Sequence, residues 1–215
     1  MSWKRKILSV QEESKIEQKI ALYEKETGAE LVICIAKSSD PYPAAVLRFS
    51  ILATLAISAL LTFYFTFSHE LILVGSQLIL FFLLTFIGRS NHIKRFFLSK
   101  LETDREVGEK AMELFYSRGL YQTKYKVGIL LFISIQEKMI RLLVDKKLQE
   151  KISQDDLDYI VNILGKEFKT GHYFNGLNQT LNILEEKILH FFPEKVQPQD
   201  SENEIANKIL WADPF

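Results

Sequence analysis

Five acidic residues, Glu30, Asp40, Asp145, Asp155 and Asp156, fall where predicted strands and helices meet loops. Carboxylates converging there would offer the oxygen ligands that calcium or magnesium takes. Glu30, Asp40 and Asp145 form the candidate metal set. Each acid also has an ordinary use: Asp155 and Asp156 suit the positive end of a helix, Glu30 a solvent-facing strand start, and Asp145 a turn. The residue constellations of established phosphatases are missing. Cys34 is not followed by a glycine-rich phosphate loop and an arginine, and Asp156-Leu157-Asp158 opens a helix instead of ending a strand. The histidines His69, His92, His172 and His190 are scattered without ligand spacing, and there is no glycine-rich nucleotide loop. Lys146, Lys147 and Lys151 could meet phosphate or anionic headgroups, or simply be solvated. No cofactor is indicated by a motif; calcium or magnesium is the cation the acidic set would suit.

The elements that must position these residues are bounded by composition. The chain has 215 residues, enough for one domain with a full core and something extra. Lys plus Arg and Asp plus Glu are 27 each, so no global field recruits nucleic acid, which is excluded as a partner class. Cys34, the single cysteine, lies in the run Leu31-Val32-Ile33-Cys34-Ile35-Ala36 and reads as a small buried hydrophobe; no intrachain disulfide can form. The opening Met1-Ser2-Trp3-Lys4-Arg5-Lys6 leads into a polar helix pattern without a secretory h-region, so the start is expected to be retained.

Two stretches, 49–67 and 71–88, are uncharged and almost wholly apolar, with Ser68-His69-Glu70 as the break between them. Each is long enough as a helix, roughly 27 Å, to match a hydrocarbon core of about 30 Å. They are expected to form a two-helix transmembrane hairpin. Lys37 and Arg48 before it, and Arg89, Lys94, Arg95 and Lys100 after it, place both termini and the flanking domain on the cytoplasmic side of the inner (plasma) membrane. On a helical wheel Ser50, Thr54, Ser58, Thr62 and Thr66 share one half of the first span, with Phe49, Ile57, Leu60, Phe63, Tyr64 and Phe67 on the other. The hydroxyl half should meet Gly75, Ser76 and Gln77, with a Thr62–Gln77 hydrogen bond, or else Gln77 faces a second copy.

Before the hairpin, the capping box Ser9-Val10-Gln11-Glu12 and the spacing of Ile16, Ile20 and Tyr23 give a helix ending at Thr27-Gly28, and 29–36 reads as a doubly buried strand. After it come a helix from the box Thr103-Asp104-Arg105-Glu106 to Gly119, strands over 127–135 and 138–145 around a tight Gln136-Glu137 turn, a helix capped by Ser153, and a last helix ending near Phe192-Pro193. The fold class is α/β, a small mixed sheet flanked by helices, with the first two strands parallel and the next pair antiparallel. Residues 1–44 and 91–193 make the two parts of this domain around a hairpin at 45–90. Residues 194–215 follow as a polar linker and a short amphipathic helical turn carrying Ile205, Ile209 and Trp211; Trp211 and Phe215 dock on the domain or sit at headgroup level.

The runs Thr27-Gly28-Ala29-Glu30-Leu31-Val32-Ile33, Phe115 to Gly119-Leu120, Gly128 to Ser134, Ile140 to Asp145 and Gly171-His172-Tyr173-Phe174-Asn175-Gly176-Leu177 together resemble the TPM domain family. The resemblance covers 7–40 and 102–192, and is nearest a bacterial membrane branch with two spans inserted after the first strand. It implies an α/β sandwich, and its activities are mixed: weak acid phosphatase activity and calcium binding in a plastid member, accessory or modulating roles in others. Lys146-Lys147-Leu148 after Asp145 departs from the glycine-containing loop that many members place there. The expected function is a membrane-anchored interaction or accessory module, bound to lipid and to a protein partner or itself; the alternative is a weak metal-assisted phosphatase.

Overall fold

The computed structural model describes residues 3–64, 70–122, 127–192 and 207–213. In chain order these form a 3₁₀ turn (Trp3–Lys6), α1 (Val10–Thr27), β1 (Glu30–Ala36), α2 (Pro43–Tyr64), α3 (Glu70–Gly88), α4 (Asn91–Phe97), α5 (Lys100–Ser117), β2 (Gly128–Ser134), β3 (Met139–Val144), α6 (Lys146–Gln149), α7 (Gln154–Lys169), α8 (Tyr173–Phe191) and β4 (Leu210–Ala212). They divide into two compact units, Met1–Asp40 with Asp104–Phe215, and Pro41–Thr103.

The first unit is built on a four-stranded sheet in the order β3-β2-β1-β4. β1 and β2 pair in parallel from Glu30 opposite Gly128 to Ala36 opposite Ser134, and β2 and β3 pair antiparallel, as the sequence order requires. β1 and β2 are buried at every residue because helices cover both faces. Leu31, Ile33, Ile35, Ile129, Leu131 and Ile133 pack under the apolar stripes of α1, α7 and α8. The alternate residues Val32, Cys34, Leu130 and Phe132 pack under Val107, Ala111 and Phe115 of α5. α1 has the expected Ser9–Glu12 capping box and ends on Gly28 at φ 72°.

Three details differ from the sequence reading. α5 begins at Lys100: Ser99 Oγ accepts from Glu102 N at 3.1 Å, so Ser99 takes the capping role expected of Thr103, whose hydroxyl points back to Ser99 O. The β2–β3 turn has four residues, because Ser134 pairs with Met139, and Lys138 takes φ 56° to close it. At the C-terminus a strand replaces the expected helical turn: β4 pairs in parallel with β1, Cys34 opposite Leu210 and Ala36 opposite Ala212. Periodicity could not separate the two over so short an apolar run, and the free edge of β1 decides for a strand. Trp211 docks on the domain; Phe215 lies outside the described residues.

In the second unit α2 starts on Pro43, a residue whose fixed φ and missing N–H suit the first helical position. α2 and α3 run antiparallel. At one end a side chain at Gly88 would meet Phe49 and Val46, while further along Ser58 and Thr62 share a cleft with Ser76 and Gln77. Phe49 therefore faces α3 and stacks its edge on Phe97 of α4, at 5.6 Å between ring centroids, where the wheel had placed it outward. Among the described residues α2, at 22 residues, is by itself long and apolar enough to cross a membrane; residues 74–88 of α3 meet that test together with α4, from which they bend by 98°. The Ser68-His69 break and Thr66 lie outside the described residues.

Candidate functional site at the ends of the sheet

Strand register decides which of the acidic candidates come together. Glu30 stands opposite Gly128, and the N–H of Asp145 donates to Gly128 O at 2.9 Å, so Glu30 and Asp145 flank Gly128 at one end of the sheet. With β2 between them, their α-carbons are about 10 Å apart, two strand spacings. Both side chains are buried. Asp40 follows the other end of β1, about 20 Å away along a seven-residue strand. Among the described residues no group of three or more His, Cys, Asp or Glu side chains is placed to hold a metal ion.

Asp145 is first of all a helix cap. Its Oδ1 accepts from Leu148 N at 2.9 Å and so starts α6, the turn formed by Lys146-Lys147-Leu148 where the resemblance implied a glycine loop. Oδ2 is buried with no hydrogen-bond partner among the described residues, and burial raises the pKa of the carboxyl above its ordinary value. Gly128 between the two acids cannot be replaced freely, since a Cβ there would lie 2.1 Å from the carbonyl oxygen of Leu120.

A third buried acid belongs to this end and was not among the sequence candidates. Glu24, in the last turns of α1, accepts the N–H of Leu31 at 2.9 Å, on the side of β1 that carries β4 only further along, from Cys34. Burial, partly offset by that hydrogen bond, pushes its pKa up to about 8. The available signal was its position, because an acid near a helix C-terminus opposes the dipole and needs a local reason to be there.

The other end holds a second polar group that sequence spacing did not reveal. Glu137, in the β2–β3 turn, accepts from Ser38 Oγ at 2.7 Å, from Ser39 N at 3.0 Å and from Ser134 Oγ, while Ser39 Oγ donates to Ser134 Oγ at 3.0 Å. Ser38, Ser39 and Ser134 are all buried. A carboxylate with this many donors directed at it is a latch: it ties the segment that leaves β1 to the hairpin beside it.

The remaining candidates serve local structure. Ser153 and Lys187 hydrogen-bond Asp156, with Lys187 Nζ at 2.5 Å, and hold its carboxyl below the usual range; Asp155 shares the first turn of α7. Lys151 donates to Phe191 O at 3.0 Å and lies 4.2 Å over the Phe192 ring, with Lys147 at 5.7 Å. His172 is the N-terminal flank of α8, 3.6 Å from Glu167, and Cys34 is buried, its thiol pushed up to about 12. In the helical pair, Thr62 Oγ1 donates to Ser58 O at 2.9 Å, and Thr62 and Gln77 line one cleft of about 310 Å³. Any hydrogen bond between them would therefore use the threonine oxygen as acceptor.

Among the described residues β3 is an open edge of the sheet. Because Asp145 N bonds to Gly128 O, the antiparallel alternation turns the N–H and C=O of Ile140, Leu142 and Val144 away from β2. A groove of about 580 Å³ follows this edge, walled by Met112 and Tyr116 of α5 and by Leu157 and Val161 of α7.

The TPM domain matches residues 90–187 of the chain. No curated protein matches. Among solved structures, the NMR structure of BA42 protein from the psychrophilic bacterium Bizionia argentinensis is similar, with 18% identity over 95% of each chain and a TM-score of 0.57. That likeness is one of fold. The matched stretch runs from α4 into α8 and contains β2 and β3, and β1, which lies outside it, completes the same sheet. Over residues 90–187 the chain thus carries the likeness of a TPM domain, on a four-stranded α/β fold shared with a bacterial protein of known structure.

Proposed function

We propose that the protein is a membrane-anchored interaction or accessory module: α2 and α3 cross the bilayer as a hairpin with both termini cytoplasmic, and the TPM-like unit engages a protein partner. The observation that carries this reading is the outward placement of apolar side chains around α2 and α3, with Leu55 63%, Phe63 83%, Ile79 72% and Phe86 73% exposed. Water would not tolerate so continuous an apolar surface, and lipid is the solvent that does. The bend after α3 supports it: α4 leaves at 98° with Lys94 and Arg95 on it and Phe96 85% exposed, the arrangement of a segment lying along a headgroup layer. The groove along the open β3 edge supports the partner role, since an extended segment can add there as a fifth strand.

Two measurements test this reading. After an alkaline carbonate wash of membranes the chain is expected in the pellet, released by detergent alone; recovery in the wash contradicts it. A photo-crosslinking residue at Tyr116, beside the β3 edge, is expected to capture a partner in intact cells, whereas one at Leu22, on the outer side of α1, is not.

A second reading, weak metal-assisted hydrolysis of a phosphate ester, is favoured by one observation: Glu30 and Asp145 are buried at the same end of the sheet, and Asp145 Oδ2 lacks a partner among the described residues. Calcium or magnesium would be the cation. Calcium- or magnesium-dependent phosphatase activity lost in Asp145→Asn supports it; equal activity in the variant contradicts it.

A further inference from the structure

The outer edge of β1 is occupied by the chain's own C-terminal segment in an unusual way. β4 covers three of the seven residues of β1, and its own residues are half-exposed. Ile209, just before it, enters the core, Leu210, Trp211 and Ala212 pack partly buried against the sheet, and side chains of α1 and the N-terminal turn add specific contacts. Glu17 accepts from Ile209 N at 3.1 Å, Glu13 from Trp211 Nε1 at 2.5 Å, and Ala212 O from Lys37 N at 2.9 Å. Trp3 packs edge-on to Trp211 at 5.5 Å and donates to Asp213, which also lies 3.7 Å from Lys4. Acceptors meet the backbone N–H and the indole; a cation and an indole N–H meet the carboxylate.

We infer that this edge is a binding site for an extended segment with an aromatic residue two positions before an acid, filled here in cis by residues 209–213 and able to take the same segment from a second copy of the chain. The site reads a short sequence through groups that a separate strand would satisfy equally well. The second copy is the natural donor because it carries the identical segment, and because 14 residues, 193–206, separate Phe192 from Asn207. Fully extended, such a connection spans up to about 48 Å, more than the width of a domain this size. Exchange of a terminal strand between copies is then a low-cost route to a dimer. This rests on the α/β unit alone and holds whether or not α2 lies in lipid.

The chain provides its own probe. Cys34 is the single cysteine, and Leu210 is its register partner across the edge, so Leu210→Cys puts two thiols within the separation that a disulfide needs. Mild oxidation of full-length Leu210→Cys should give an intrachain bridge and also a covalent dimer whose share rises with protein concentration. As a second measurement on the unaltered chain, a peptide of residues 207–213 carrying Leu210→Cys should form a disulfide with Cys34 at millimolar concentration. The same peptide with Trp211→Ala should do so about tenfold less, as loss of an indole contact and its hydrogen bond predicts. An intrachain bridge alone at every protein concentration, with no peptide adduct, overturns exchange; absence of any bridge, together with maleimide modification of the Leu210→Cys thiol as fast as in the free 207–213 peptide, overturns the docking itself, since Cys34 is buried and slow to react.

Discussion

Phe132 and Phe86 are the same side chain in opposite circumstances. Phe132 is wholly buried in the sheet beneath α5, whereas Phe86, in α3, is 73% exposed. The contrast extends to their units. In the α/β unit apolar groups line two cores on either side of a sheet, and in the helical pair they point outward. One chain follows two burial rules, which makes sense if it has two solvents: water around the sheet, lipid around the helices.

The contrast sharpens most in paired truncations. Phe132→Ala removes a side chain packed on all sides and should cost about 3–5 kcal/mol in denaturant unfolding of the detergent-solubilised chain. Phe86→Ala should change stability by less than about 1 kcal/mol. Equal losses would erase the distinction. Next in size, Leu55→Lys puts a charge in the middle of α2 and should oppose insertion by roughly 2.5–3.5 kcal/mol, read as a smaller carbonate-resistant fraction. Leu22→Lys, on the exposed side of α1, should leave that fraction unchanged.

A pH experiment separates the two regions further. The folded state keeps the Glu24 proton up to about pH 8 because burial disfavours the carboxylate, while the unfolded chain releases it near the ordinary value of 4.5. Between these pH values the folded state binds more protons, so stability declines as pH rises and levels off above about 8. Glu24→Gln, which keeps an acceptor for Leu31 N, should flatten that slope in the α/β unit and leave carbonate resistance untouched. The smallest effect is expected at Thr62→Ala, about 0.6 kcal/mol in thermal unfolding of the detergent-solubilised chain, since its hydroxyl already bonds its own helix. A loss above about 2 kcal/mol would mean that polar contact across the helices, not apolar packing, holds the pair.

Much of the sheet was legible because its signals are local. Ser9 and Glu12 announce α1, unbroken β-branched runs announce β1 and β2, and the connection lengths set parallel and antiparallel pairing. β4 was not legible: three residues carry no period, and their conformation is fixed by an edge that lies about 175 residues away in sequence. The candidate site was legible only in part. Glu30 and Asp145 flank Gly128 because of register, which sequence order implies, but Asp40 was grouped with them although it belongs to the opposite end. Glu24 and Glu137 were missed because what singles them out is burial against backbone N–H groups and serine hydroxyls, a tertiary property. The Thr103 cap failed for a related reason: Ser99, four residues earlier, offers the same chemistry.

The most direct test is to ask what surrounds the outward side chains of the helical pair. Spin labels placed singly at Leu55, Leu60 and Phe82, all exposed, in the full chain reconstituted into vesicles will report collisions with oxygen, which concentrates in lipid, and with a water-soluble nickel chelate. High oxygen and low nickel accessibility at all three, with the reverse at Leu22 on α1, is the result expected if lipid solvates α2 and α3. Nickel accessibility at Leu55 equal to that at Leu22 would place the helices in water and remove the membrane reading.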